Sequence, residues 1–98
     1  MAMDTNIGSL IVRTPRVLGG RPRIDGTRIA VRTIAILYKQ GLSPEEIADQ
    51  YPQLSLAQVY AALTYYHATQ AEIEADIAAE QEEYDRLARK HNRTRKSA

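Results

Sequence analysis

The sequence predicts a mainly α fold, and three observations carry that prediction. Apolar residues recur at three- and four-residue steps from Val31 onward. Two capping boxes, Ser43-Pro44-Glu45-Glu46 and Ser55-Leu56-Ala57-Gln58, mark helix starts. From Gln70 to His91 there is neither glycine nor proline, so one long helix is expected.

The elements follow in order. Residues 1–9 show no periodic pattern and read as a flexible lead. Leu10-Ile11-Val12-Arg13 has strand character and ends at Thr14-Pro15, because proline cannot donate to a ladder. Gly19-Gly20 punctuates a loop. Arg21–Ile24 and Thr27–Ala30 flank Asp25-Gly26, a pair suited to a tight hairpin turn, so a short N-terminal β-hairpin region is expected. Val31, Ile34, Ala35 and Tyr38 then form one face of a first helix, with Gly41 where its C-cap would fall. A second, short helix opens at Ser43 with Pro44 in its first turn and is stopped by Pro52. The third opens at Ser55, and Leu56, Val59, Tyr60, Leu63 and His67 are expected on its inward face. A short second helix and a tight turn into a third make a trihelical helix-turn-helix core.

In the long C-terminal helix, Ile73, Ile77, Tyr84, Leu87 and His91 fall on one heptad-like stripe interrupted by Glu80. A stripe on a helix this long needs a second surface: this chain's own core, a second copy, or a foreign partner. The expected organisation is therefore a flexible segment over 1–9, a hairpin plus helix-turn-helix core over 10–69, an interaction helix over 70–91 and a basic disordered tail over 92–98.

Composition narrows the function. The chain has 98 residues and no cysteine, which removes disulfides, thiolate nucleophiles and Cys-based zinc sites. No apolar run approaches the roughly 20 residues of a membrane span, and Met-Ala-Met-Asp does not open a secretory signal, so a cytoplasmic location is expected. The net charge of +1 hides three blocks. Residues 1–40 carry seven basic and two acidic residues, 41–85 carry ten acids and no Lys or Arg, and 86–98 carry six bases and no acid. Such segregation points to separate partner surfaces, or to blocks that pair with one another inside a dimer.

The catalytic inventory is thin. His67 and His91 are the only histidines, and each falls on an apolar helix face. The carboxylates after Gln70 lack the spaced histidines of a metal site. Neither catalysis nor a cofactor is expected. Arg21, Arg23, Arg28 and Arg32 cluster near the hairpin, where guanidinium groups can hold phosphates or keep a sheet edge from aggregating. The third helix offers Gln58, Ala61, Ala62, Tyr65 and Thr69 as outward residues. None is basic, so this helix reads as a protein-binding face more readily than as a DNA reader.

The stretch Leu18–Leu63 resembles a bacterial and archaeal family long filed as domain of unknown function 433. The matching words are Gly19-Gly20-Arg21-Pro22-Arg23-Ile24, Gly26-Thr27-Arg28-Ile29-Ala30-Val31, Gly41-Leu42-Ser43-Pro44-Glu45-Glu46-Ile47 and Tyr51-Pro52-Gln53-Leu54-Ser55. The resemblance implies a homeodomain-like helix-turn-helix core behind a short hairpin, an antitoxin-like role, and a small PIN-like nuclease toxin as a common gene neighbour. The expectation is thus an antitoxin-like, homodimeric, non-enzymatic protein that binds a PIN-like nuclease toxin, with operator DNA a further candidate partner. A dimerising interaction module that never meets DNA is the alternative. Candidate DNA contacts are Arg21, Arg23, Arg28, Arg32 and Gln58. Candidate partner contacts are the apolar Tyr65, Ile73, Ile77, Tyr84 and Leu87, with the basic Arg86, Arg89 and Arg93.

Overall fold

The computed structural model describes residues 6–96, with side chains described over 6–92. Among the described residues four α-helices surround one core, and a two-stranded antiparallel sheet lies near the N-terminus. Among the described residues no helix is long and apolar enough to cross a membrane.

The segment expected to be flexible contains a 3₁₀ turn, Ile7–Ser9, capped by Asn6, whose side chain accepts from the Gly8 N–H at 3.0 Å. Strand β1 (Ile11–Val12) pairs with β2 (Arg23–Ile24) within the chain, Ile11 opposite Ile24 and Val12 opposite Arg23. The expected hairpin is reduced. Asp25-Gly26 does turn, with Gly26 at φ +77°, but its second arm contributes only a single bridge between Arg23 and Ala30. That bridge is closed by two backbone bonds, Val31 N–H to Pro22 O and Ile24 N–H to Ile29 O, and within the turn the Thr27 hydroxyl donates to Ile24 O and accepts from the Ile29 N–H. The arm stops there because Ala30 is the N-cap of the helix that starts at Val31.

Helix α1 (Val31–Lys39) buries Val31, Ile34 and Ala35, and Gly41 just beyond it sits at φ +100°. Helices α2 (Pro44–Gln50) and α3 (Leu56–Ala68) both open on complete capping boxes. Ser43 and Glu46 bond reciprocally at 3.1 and 2.8 Å, and Ser55 and Gln58 at 3.2 and 2.7 Å, satisfying N–H groups that a helix start leaves open. Thr69, at φ −130° and ψ 43°, breaks the chain between α3 and α4 (Gln70–Lys96). The tail expected to be disordered from Asn92 is helical through Lys96, with no glycine or proline to stop it. Its Lys and Arg residues suit a helix C-terminus.

Ile24, Val31, Ile34, Ile47, Val59 and Ile73 are fully enclosed, and Leu63 and Tyr66 close the cluster. The inward face of α3 differs from the expected one. Ala61 and Ala62 are buried, whereas Leu56, Tyr60 and His67 are exposed. This helix is apolar at most positions, so periodicity does not single out one side.

Ile73 brings α4 into the core, because it is 0% exposed and Ile77 packs beside it. Ile73→Ala is therefore expected to cost about 2–5 kcal/mol, read as a lower urea midpoint. An unchanged midpoint would mean that α4 is not part of the cooperative fold.

Candidate functional site

The acidic first half of α4 lies over the basic first third of the chain. Ile73 and Ile77 set its inward face, and the residues that flank this face, one helical turn apart, reach the arginines. Asp76 takes Arg21 Nε at 2.6 Å and Arg32 Nη1 at 3.3 Å. Arg32 Nε also lies 2.6 Å from Glu80 Oε2, although its N–H is not aimed squarely at that oxygen. Arg13 pairs with Glu72 and donates to the Tyr65 hydroxyl at 2.8 Å. Lys39 Nζ meets Glu74 Oε1 at 2.7 Å, and the Tyr66 hydroxyl donates to the other Glu74 oxygen.

Burial ranks these contacts. The side chains of Asp76 and Arg32 are 11% and 16% exposed, whereas both partners of the Arg13–Glu72 pair are 47% exposed. A pair shielded from water is screened less and leaves a costlier orphan when broken. The Glu74 carboxyl is held below the usual carboxylate range, first by the bond from Lys39 and then by that from Tyr66. The same bond raises the Tyr66 phenol, with burial adding to it. Glu46 is lowered by the Ser43 backbone N–H it accepts in the capping box.

Arg21 owes its position to the loop before it. Leu18, Gly19 and Gly20 are all left-handed, at φ 52°, 65° and 79°, and the Arg21 guanidinium folds back to Leu18 O at 3.2 Å. At φ +65° Gly19 holds a backbone conformation that side-chain-bearing residues rarely adopt, and a Cβ there would also press on Arg21 Nη1 at 2.8 Å.

Most of the residues expected to face DNA are thus occupied inside the chain. Arg21 and Arg32 hold α4. Arg23 staples the turn, donating to Thr27 O at 2.9 Å and Thr14 Oγ1 at 2.8 Å. The Gln58 side chain closes the capping box of α3. Arg28 is exposed and makes no ion pair or hydrogen bond among the described residues; Arg16, which the sequence reading passed over, shares that state.

The expected partner residues divide. Ile73 and Ile77 are fold residues, enclosed by or packed on this chain's own core. Tyr65 is half-buried and bonded to Arg13. Tyr84 and Leu87 remain outside, 68% and 55% exposed. Together with Glu80 and Glu83 they form one wall of a groove of about 570 Å³, and Arg21 and Arg32 form the other. Arg86 pairs with Glu83 one turn back, and Arg89 is exposed. The Arg93 side chain lies outside the described residues. The third helix, read from the sequence as a protein-binding face, does border a shallow apolar depression of about 310 Å³, but of the residues expected there only Ala61 lines it, and Ile7, Leu10, Tyr60 and Thr64 line it as well. Its signal was present in the near-continuous apolar character of α3.

His67 is exposed, and its ring meets Tyr38 edge-on at 5.4 Å and Tyr66 at 5.0 Å. Among the described residues no three His, Cys, Asp or Glu side chains converge as metal ligands would.

Residues 11–66 match the family described as Protein of unknown function (DUF433). The chain belongs to that family. A solved structure of a DUF433 member protein from Anabaena variabilis ATCC 29413 is 37% identical, with a TM-score of 0.67, covering 71% of this chain and 69% of that one. No curated protein matches. The DUF433 match ends within α3, so the acidic ladder and the outer half of α4 lie beyond it.

Two expectations follow for the ion pairs. Asp76→Ala should cost about 1–3 kcal/mol, since it strips two guanidinium groups of a shielded carboxylate, while Glu72→Ala should stay within about 1 kcal/mol. Chemical denaturation of the two variants compares them directly, and equal losses would contradict the ranking. The second concerns pH. The folded pKa of Glu74 is depressed, so its contribution is present above the unfolded carboxylate value and is lost as pH falls through the folded one. Glu74→Gln should accordingly flatten the acid limb of the stability profile and leave its neutral slope unchanged.

Proposed function

We propose that this DUF433 protein is a non-catalytic binding protein of antitoxin type, whose outer α4 segment is the arm that engages a partner. The supporting observation is the exposure of Tyr84 and Leu87 on a helix that has left the core behind. The α4 helix is about 40 Å long at 1.5 Å per residue, and the molecule measures 66 × 30 × 25 Å. Beyond Glu80 only Ala88 is even half-buried among the described side chains. An isolated helical segment of this length is marginal in water, so a covering surface would stabilise it.

The chemistry of the arm indicates the kind of partner. An aromatic and an aliphatic anchor stand beside Arg86 and Arg89, and the sequence continues with Arg93, Arg95 and Lys96. A nuclease of the PIN type gathers carboxylates around a metal, so its mouth is negative, and guanidinium groups suit such a surface. In this reading α1–α3 form a helix-turn-helix-type scaffold, homeodomain-like in arrangement, that displays the arm. Operator DNA has the weaker support, because Arg21, Arg23, Arg32 and Gln58 already have partners within the chain and only Arg28 of the candidate contacts stays open to a phosphate.

The test is a deletion placed by the fold. Cutting after Thr69 would remove Ile73 from the core, so the shortened chain should end at Gln81, keeping Ile73, Asp76 and Glu80. That chain should retain its α1–α3 circular dichroism signal yet fail to rescue growth of cells expressing a neighbouring nuclease toxin. In the full chain, Tyr84→Ala and Leu87→Ala should each weaken toxin binding by about tenfold or more. Full rescue by the shortened chain would move the neutralising surface to the scaffold.

A further inference from the structure

In the free protein the outer half of α4 has a self-complementary design, and we infer that it pairs antiparallel with the same segment of a second copy, Tyr84 packing against the partner's Leu87. The seam is set by spacing. Ile73, Ile77, Glu80, Tyr84, Leu87 and His91 follow one another at alternating steps of four and three, the rhythm of a coiled-coil stripe. The body of this chain covers the first two, and Glu80 is held by Arg32. Tyr84 and Leu87 are left open to solvent, and His91, next on the stripe, is exposed.

Charge then selects both the occupant and its direction. Along this stretch the acids Glu82, Glu83 and Asp85 come first, and the bases Arg86, Arg89 and Lys90 follow, with the sign changing between Asp85 and Arg86. A parallel copy would set acid against acid and base against base, which is unfavourable at both ends. An antiparallel copy centred on the sign change sets each acidic stretch against a basic one. Placing Tyr84 level with the partner's Leu87 also brings Glu80 level with the partner's His91. Glu83 and Lys90 are seven residues apart and each immediately precedes a seam residue, so both flank the seam on one side. In the antiparallel pair Glu83, which its own Arg86 also contacts, faces the partner's Lys90, and the contact occurs twice about the two-fold axis, as an isologous interface requires. The groove lined by Tyr84 and Leu87, with Arg21 and Arg32 opposite, gives the incoming helix a concave seat.

The pairing shares Tyr84 and Leu87 with the partner surface proposed above but does not rest on it, since it concerns the chain alone. Sedimentation equilibrium of the full chain at tens of micromolar should give twice the monomer mass. Glu83→Lys sets lysine against the partner's Lys90, and Lys90→Glu sets glutamate against the partner's Glu83, so each variant alone should lose about tenfold in self-association. Mixed in equal amounts, the two variants face each other with opposite charges at both contacts, and the dimer should return. Circular dichroism of each variant, expected to match the parent, separates loss of pairing from loss of folding. A monomeric parent chain would overturn the inference. So would a dimer that neither single reversal weakens, or one that the mixture does not restore. Failure of toxin neutralisation in cells would leave these sedimentation results untouched, so the two readings fail separately.

Discussion

Asp76 holds Arg21 and Arg32 on the flank of the helix turn that buries Ile73 and Ile77, and much of the molecule is organised around that contact. It brings together the basic first third of the chain and the acidic start of α4, two segments more than forty residues apart in sequence. Hydrophobic burial of Ile73 provides the non-directional attraction, worth about 1.5–3 kcal/mol for a side chain of this size. The carboxylates then fix the register, since sliding α4 by one residue would turn Asp76 and Glu80 away from the guanidinium groups. The β region depends on the same arrangement. A hairpin this small is marginal alone, but here β1 and β2 lie against α3, Ile24 enters the core, and Arg21, just before β2, is tied to α4.

Much of this was legible in the sequence wherever one residue type has one local use. Ser43 and Ser55 three residues ahead of Glu46 and Gln58 predicted both capping boxes, and Gly41 and Pro52 marked the ends of α1 and α2, because caps and breakers act over a few residues and need no tertiary context. The hairpin misled for the opposite reason. Thr27 and Ala30 have strand-like neighbours, but the helix start at Val31 takes Ala30 as its cap. The face of α3 was illegible because alanine, valine, leucine and tyrosine populate most of its positions and no polar stripe opposes them.

The candidate site was harder to read, and electrostatics explains why. Three charge blocks were visible, along with two outcomes for them: separate partner surfaces, or mutual pairing between copies. The fold takes a third course for the first two blocks, which pair within one chain. Arginines that look ready for phosphate in a linear sequence are consumed by carboxylates far along it, and the clustering of Arg21 and Arg32 near the hairpin carries no information about Asp76. Gln58 illustrates the same limit locally. A residue that could read an adenine edge is also the best residue to close a capping box, and at the third position of a helix the backbone N–H of Ser55 is the nearer partner.

That intramolecular neutralisation determines what α4 has left to offer. The ladder from Glu72 to Glu80 meets Arg13, Arg21, Arg32 and Lys39, so the negative charge of the inner half is largely answered by the scaffold. Beyond Glu80 the helix has moved past the last basic residue of the body that it touches, and its remaining acids and bases are set out in sequence along an uncovered rod. The apolar stripe changes character at the same point: Ile73 and Ile77 serve the fold, and Tyr84 and Leu87 stay exposed. One heptad rhythm therefore carries two different jobs, divided where Arg32 reaches Glu80. A substitution inward of that point is expected to act first on stability, and under the proposed reading one outward of it acts on association.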